Sequence, residues 1–253
     1  MPHPARTTRR TLTAATLVLA LAGLSACDPD DATGQRPAAG PSAAQDGSAL
    51  EALGGLPVKG RAPKTGYDRT GKFGPAWSDK TSAPGSRNGC DTRNDILRRD
   101  LTDVTGKNGS RCVVGSGTLA RDPYTGRRID FVRGPKTSQA VQIDHLVALS
   151  DAWQKGAQQI PQDDREALAN DPLNLLAADG PANQQKSDGD AATWLPASKS
   201  FRCAYVARQI AVKKKYRLWV TKAEGEAMNR VLTNCPGQPL PDDSSPGVPV
   251  RGR

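Results

Sequence analysis

The stretch Val141-Gln142-Ile143-Asp144-His145-Leu146-Val147-Ala148-Leu149 places an acid and an imidazole inside an apolar run. A run of this kind belongs in a core, where an unpartnered charge is heavily penalised. The polar pair must therefore be used or paired. Val141-Gln142-Ile143 alternates apolar and polar, the period of a strand, so we expect a strand ending at Asp144-His145. Neighbours on a strand point to opposite faces. The two side chains can share a site only where the strand stops, or where other elements close around them. The 253-residue chain has two histidines, and His3 falls in a segment expected to be removed. One remaining imidazole excludes a His-x-x-x-His zinc site.

Residues 1–26 read as an export signal. Arg6, Arg9 and Arg10 precede Leu12 to Leu24, which is mostly Ala, Leu, Val and Thr and short for a membrane span. Leu24-Ser25-Ala26-Cys27 is similar to a bacterial lipobox, in which the cysteine is acylated. A membrane link through lipidated Cys27 is thus expected, at the outer face of the cytoplasmic membrane. Release into the medium, or a plain secreted protein with an incidental cysteine, is the alternative. Thr8-Arg9-Arg10 leaves twin-arginine export open. The formal charge is +9, and loss of the three signal arginines would leave +6. A basic surface suits phosphate-rich or anionic-lipid partners, or serves solubility alone.

Without Cys27, an even set remains: Cys90, Cys112, Cys203 and Cys235. In an exported chain these should form disulfides. Three pairings are possible, and nearest-neighbour pairing, Cys90–Cys112 with Cys203–Cys235, is preferred. Residues 27–64 are rich in Ala, Gly, Pro, Asp and Gln with no apolar period, so they read as a flexible tether. The tail 237–253 has the same composition and reads as disordered, leaving a folded domain at 65–236. Thr92-Arg93-Asn94-Asp95 has the pattern of a helix start, followed by Ile96, Leu97 and Leu101. Asp122-Pro123-Tyr124-Thr125-Gly126 is a turn, with strands expected at Val113-Val114 and Ile129–Val132. Leu173-Asn174-Leu175-Leu176 reads as another short strand. Residues 200–217 read as a helix, and Thr221-Lys222-Ala223-Glu224 as a capping box opening the next one. The fold class is α+β.

Two clusters carry the chemistry: Asp144-His145, and the downstream series Asn174-Leu175-Leu176 with Asn183-Gln184-Gln185-Lys186. In this order they resemble the ββα-metal core of HNH nucleases, in the variant of the HNH domain of RNA-guided CRISPR nucleases. From about Tyr67 to Cys235 the chain resembles exported bacterial HNH proteins related to the C-terminal region of GmrSD-type restriction enzymes. The resemblance implies an HNH-type catalytic core with added helices and a small N-terminal α/β elaboration. It implies that Asp144 and Asn183 are metal ligands, that His145 is the general base and that Asn174 orients the histidine and braces its loop. Lys186 matches by position only, as a charge beside the phosphate. The commonest family pattern ends in His where this chain has Asn183. Two oxygen ligands suit Mg2+, Mn2+ or Ca2+ better than zinc, with Mg2+ expected and Mn2+ as its substitute.

The expected activity is metal-dependent hydrolysis of nucleic-acid phosphodiesters by a monomer. DNA is the expected substrate, with RNA open, and no base-reading module appears. The alternative is a non-catalytic envelope-anchored module that kept the fold. An acyl hydrolase is disfavoured, because Ser150 lies outside any Gly-x-Ser-x-Gly elbow. Asp188 and Asp190 read as outer groups of the site or as solvated loop charges. Trp153, Trp194 and Trp219 read as packing residues. Arg208, Lys213, Lys214, Lys215 and Arg217 read as a basic helix end, either tracking phosphate or solvated. The dense cluster Tyr67, Arg69, Phe73, Gly74 and Trp77 receives no role from sequence.

Overall fold

The computed structural model describes residues 46–248. The export signal, Cys27 and the first half of the expected tether lie outside the described residues, as do 249–253. In chain order come helix α1 (Ala49–Gly54), helix α2 (Arg69–Phe73) and helix α3 (Thr92–Asp100). Three strands follow, β1 (Thr102–Gly106), β2 (Val114–Leu119) and β3 (Ile129–Val132), forming one antiparallel sheet in that order. Then come β4 (Val141–His145), α4 (Leu149–Gln154), α5 (Gln162–Asn170), β5 (Leu175–Asp179) and α6 (Gly180–Lys186). The last helices are α7 (Arg202–Lys215) and α8 (Lys222–Leu232). This is a mixed α+β fold, as expected, and it carries both preferred disulfides, Cys90–Cys112 and Cys203–Cys235.

The centre is the antiparallel pair β4–β5, in which Asp144 lies opposite Leu176 and His145 opposite Leu175. Both faces are covered, which is why the two strands read as nearly unbroken apolar runs. Val141, Ile143, Leu175 and Ala177 pack with Ile96, Leu97 and Phe131 of α3 and the three-stranded sheet. On the other face, Leu176 and Ala178 pack with Val206, Ile210 and Met228 of α7 and α8. α6 follows β5 directly, so β4, β5 and α6 form a ββα unit. Asp179 caps α6 by accepting from the Ala182 N–H, and Pro181 fits the first turn, where its missing donor is harmless. Gly180 allows the helix to start against the preceding turn, since a Cβ there would sit 1.9 Å from the Gln139 carbonyl oxygen.

Three expectations shift. The cap of α3 is Asp91, which accepts from the Asn94 N–H, while Asp95 instead accepts from the Asn88 side chain. β5 begins at Leu175, not Leu173, although the Asn174 carbonyl still accepts from the Leu146 N–H at 2.8 Å. The folded body also reaches beyond 65–236. Ala49 and Leu56 are buried with α7 and α8, and Val248 is buried in the core beside Ala211 and Val212. Composition misleads there because a few well-placed apolar residues suffice to dock a Gly- and Pro-rich segment.

Candidate active site

Asp144 and His145 end β4 and open onto one cavity of about 590 Å3. Asp144 is held from two sides. The Tyr124 hydroxyl donates to its Oδ2, and the Lys186 ammonium donates to its Oδ1 at 3.0 Å and to the His145 carbonyl at 2.8 Å. Tyr124 comes from the turn before β3 and Lys186 from the last residue of α6, so the carboxylate is fixed by residues 20 and 42 positions away. Burial raises the Asp144 pKa above the ordinary carboxylate value, and the Lys186 charge and Tyr124 bond oppose that rise.

His145 is oriented by a helix end. Its Nε2 lies 2.9 Å from the carbonyl oxygen of Ala169, one of the carbonyls left without an intrahelical partner at the C-terminus of α5. A carbonyl only accepts, so Nε2 carries the proton and Nδ1 presents a lone pair. Trp77 stacks on the ring at 5.6 Å between centroids and 15° between planes. Burial first, then the Arg69 charge, pull the His145 pKa down to about 3, with the Ala169 contact opposing. The ring is neutral at ordinary pH.

Asn174 is fully buried, and its side-chain hydrogen bonds go to backbone groups rather than to the imidazole. Its Oδ1 accepts from the Val147 N–H at 2.9 Å, and its amide donates to the carbonyls of Val147 and Leu168. It therefore braces the loop after β4 and ties it to the same end of α5 that holds His145. Arg208 donates to the carbonyls of Pro172, Leu173 and Leu175, fixing the segment from which Asn174 projects. Asn183, in the middle of α6, lines the cavity and donates its amide to Gln142 Oε1 at 2.9 Å.

The structure thus brings Asp144, His145 and Asn183 to one cavity and places Asn174 behind it. Lys186 does not line the cavity: it is buried under Asp144, on the inward side of α6, so a direct charge on phosphate gives way to a carboxylate-holding role. Asp188 lies at the rim, accepting from Ser150 at 3.0 Å and Lys64 at 3.2 Å. Asp190 instead belongs to a buried ion cluster with Lys155 and Arg61. The upstream cluster gains a role, since Tyr67, Arg69 and Trp77 form a cavity wall and Phe73 packs beneath it. Gly74, with φ +72°, lets the chain turn between them. Trp77, Tyr124 and Arg93 were not singled out by sequence as site residues, and only the density of the Tyr67–Trp77 cluster hinted at the first. Most of the basic end of α7 is used within the fold: Arg208 is half-buried and donates to backbone carbonyls, Lys213 is buried, Lys215 pairs with Asp171 and Asp243 and Arg217 with Asp164, while Lys214 is exposed.

A divalent ion would find a donor set of one carboxylate and one amide oxygen. Each Asp144 oxygen spends one lone pair on Lys186 or Tyr124 and retains another. Asn183 turns its nitrogen to Gln142, leaving Oδ1 without a hydrogen bond among the described residues. Among the described residues no group of three His, Cys, Asp or Glu side chains is assembled for a metal. The fit is to a hard, oxygen-seeking cation that keeps most of its sites for water and substrate.

Residues 91–231 match the family described as GmrSD restriction endonucleases, C-terminal domain, and these residues include the whole ββα unit. The chain is also similar to an "Uncharacterized secreted protein" of Arthroderma benhamiae, with 36% identity over 190 residues, covering 74% of this chain and 85% of the relative. That relative is fungal, so the likeness is not confined to the bacterial proteins suggested by the motifs. With more than half of its length matched and the ββα unit inside the match, the chain belongs to the family of GmrSD restriction endonuclease C-terminal domains, a family of nuclease type.

Proposed function

We propose that the protein is a metal-dependent endonuclease that hydrolyses nucleic-acid phosphodiesters, DNA first among them, with little sequence preference. The observation that carries this reading is the 2.9 Å contact of His145 Nε2 with the Ala169 carbonyl, which only an Nε2–H tautomer satisfies. Its Nε2 proton is committed to Ala169, so the Nδ1 lone pair is the group available to take a proton from an attacking water beside Asp144. The depressed pKa keeps that lone pair free, and an anionic phosphate near Arg69 would offset part of the depression by masking the cation. Asp144 and Asn183 would hold the ion, Mg2+ or Mn2+. Such an ion, when bound, neutralises charge on the phosphate and on the departing oxygen. Lys186 and Tyr124 hold the carboxylate in place, and Trp77 fixes the imidazole plane.

Export is part of the proposal. The signal-like residues 1–26 support it, as does the name of the fungal relative, which calls that protein secreted. Lipidation at Cys27 is the proposed anchor, and a monomer the proposed state. A plasmid-nicking assay with Mg2+, Mn2+ and EDTA arms tests the activity. Loss of a general base should slow His145→Ala by about 100-fold or more. Full activity of that variant in a clean preparation would sink the mechanism.

A further inference from the structure

Five charged side chains line the cavity, and three of them are already matched. Asp144 is paired with Lys186, and Lys64 with Asp188 at 3.2 Å. Arg69 and Arg93 differ: neither guanidinium has a hydrogen bond or ion pair with a described residue. Arg69 lies over the Trp77 ring at 6.0 Å. Arg93, half-buried in the first turn of α3, lies 6.0 Å from the Phe131 ring, and Arg133 is at the same distance from that ring. Arg133 is anchored, donating to the Val114 carbonyl and to Asn94 Oδ1. Arg93 is not, and it keeps its donors for the cavity. The two guanidiniums near one ring repel each other, Asp91 offsets this at Arg93 only from a distance without an ion pair, and an entering anion relieves the arrangement.

We propose that Arg93 and Arg69 are phosphate-binding residues that hold a nucleic-acid strand across the cavity by backbone phosphates other than the one attacked. This rests on the phosphodiesterase reading of the cavity. It assigns substrate binding to residues outside the Asp-His and Asn motifs. The planar fork of arginine suits two phosphate oxygens at once, and aromatic support fixes each fork in place.

The test is equilibrium binding of a short fluorescein-labelled DNA duplex to the full chain, in EDTA, across a potassium chloride series. Each phosphate that the protein no longer neutralises should make the slope of log K against log salt shallower by about 0.9, so Arg93→Gln with Arg69→Gln together should remove about 1.8. Arg93→Lys should restore the part due to Arg93, because the charge returns. Arg230→Gln removes an exposed charge from α8, outside the cavity, and should leave the slope unmoved. In cleavage assays the arginine variants should raise KM at least roughly fivefold with kcat changed less than about twofold. The proposal is overturned if the double variant changes the slope no more than Arg230→Gln, or if kcat alone falls. The two readings fail separately. Tight, salt-sensitive binding without cleavage would sink the nuclease and keep the phosphate grip. Cleavage abolished by His145→Ala with unmoved slopes would do the reverse.

Discussion

Lys186 shows how one buried cation can serve a site without facing it. It is 2% exposed, and its ammonium is shared between Asp144 and the His145 carbonyl. Lys186→Met would leave the carboxylate buried beside only a phenol. Removing one partner of a buried ion pair costs about 3–5 kcal/mol, so urea unfolding should show a loss of that order, with nicking activity nearly abolished. Unchanged stability would mean that Asp144 does not depend on Lys186. Asn174→Ala makes a different prediction. It strands the Val147 N–H and two carbonyls, each worth about 1–3 kcal/mol when buried and unsatisfied, so it should destabilise by roughly 2–4 kcal/mol. Its effect on catalysis should arise through the position of the loop.

At the scale of elements, the end of α5 organises the site. Two of its terminal carbonyls, Ala169 and Leu168, receive the imidazole of His145 and the amide of Asn174. Helix ends need such partners, and here the partners are functional residues. The other ordering device is covalent. Cys203, near the start of α7, is bonded to Cys235, just beyond α8, across 32 residues. Converting both to serine should lower the unfolding free energy by about 3–4 kcal/mol in the loop-entropy model. The check is a urea titration of the serine variant against the oxidised parent. A loss below about 1 kcal/mol would show that α7–α8 packing holds the pair alone.

Across the whole molecule, a buried ion cluster joins segments far apart in sequence. Lys155, just after α4, contacts Asp151, Asp190 and Glu224 at 2.6–2.8 Å, Lys213 of α7 contacts Glu224 at 3.0 Å, and Arg61 contacts Asp151 and Asp190. Burial disfavours the charge on Asp190, but Lys155 and Arg61 outweigh it and hold its pKa below the usual 3.8. Burial likewise opposes the Lys155 charge, but Asp151 and Glu224 outweigh it and carry its pKa above 10.5. Because the Asp190 pKa is depressed on folding, its stabilisation is complete above 3.8 and is lost as pH falls through the lower folded value. Because that of Lys155 is raised, its share is complete below 10.5 and is lost as pH rises through the higher folded value. Urea midpoints should therefore fall on acidification below the ordinary carboxylate range. The fall should be smaller in Asp190→Asn, which no longer has that proton to gain, and an identical acid limb in the variant would remove Asp190 from the account.

Local chemistry fixed what could be read in short windows. The strand ending at Asp144-His145, the Asp122–Gly126 turn between β2 and β3 and the capping box at Thr221 follow from periodicity and backbone preference within a few residues. The cysteine count in an exported-looking chain limited the bridges to three arrangements, and proximity in sequence favoured the one observed. Tertiary structure decided which side chains meet. Tyr124 and Lys186 reach Asp144, Trp77 stacks on His145, and Arg93 enters the cavity, each across tens of residues with no periodic signal to connect them. It also decided that Lys213 is internal and that Arg208 is committed to backbone carbonyls, where sequence showed only a basic helix end. The reason is physical: a window of sequence sets the conformation of a segment, whereas burial and charge pairing depend on what packs against it.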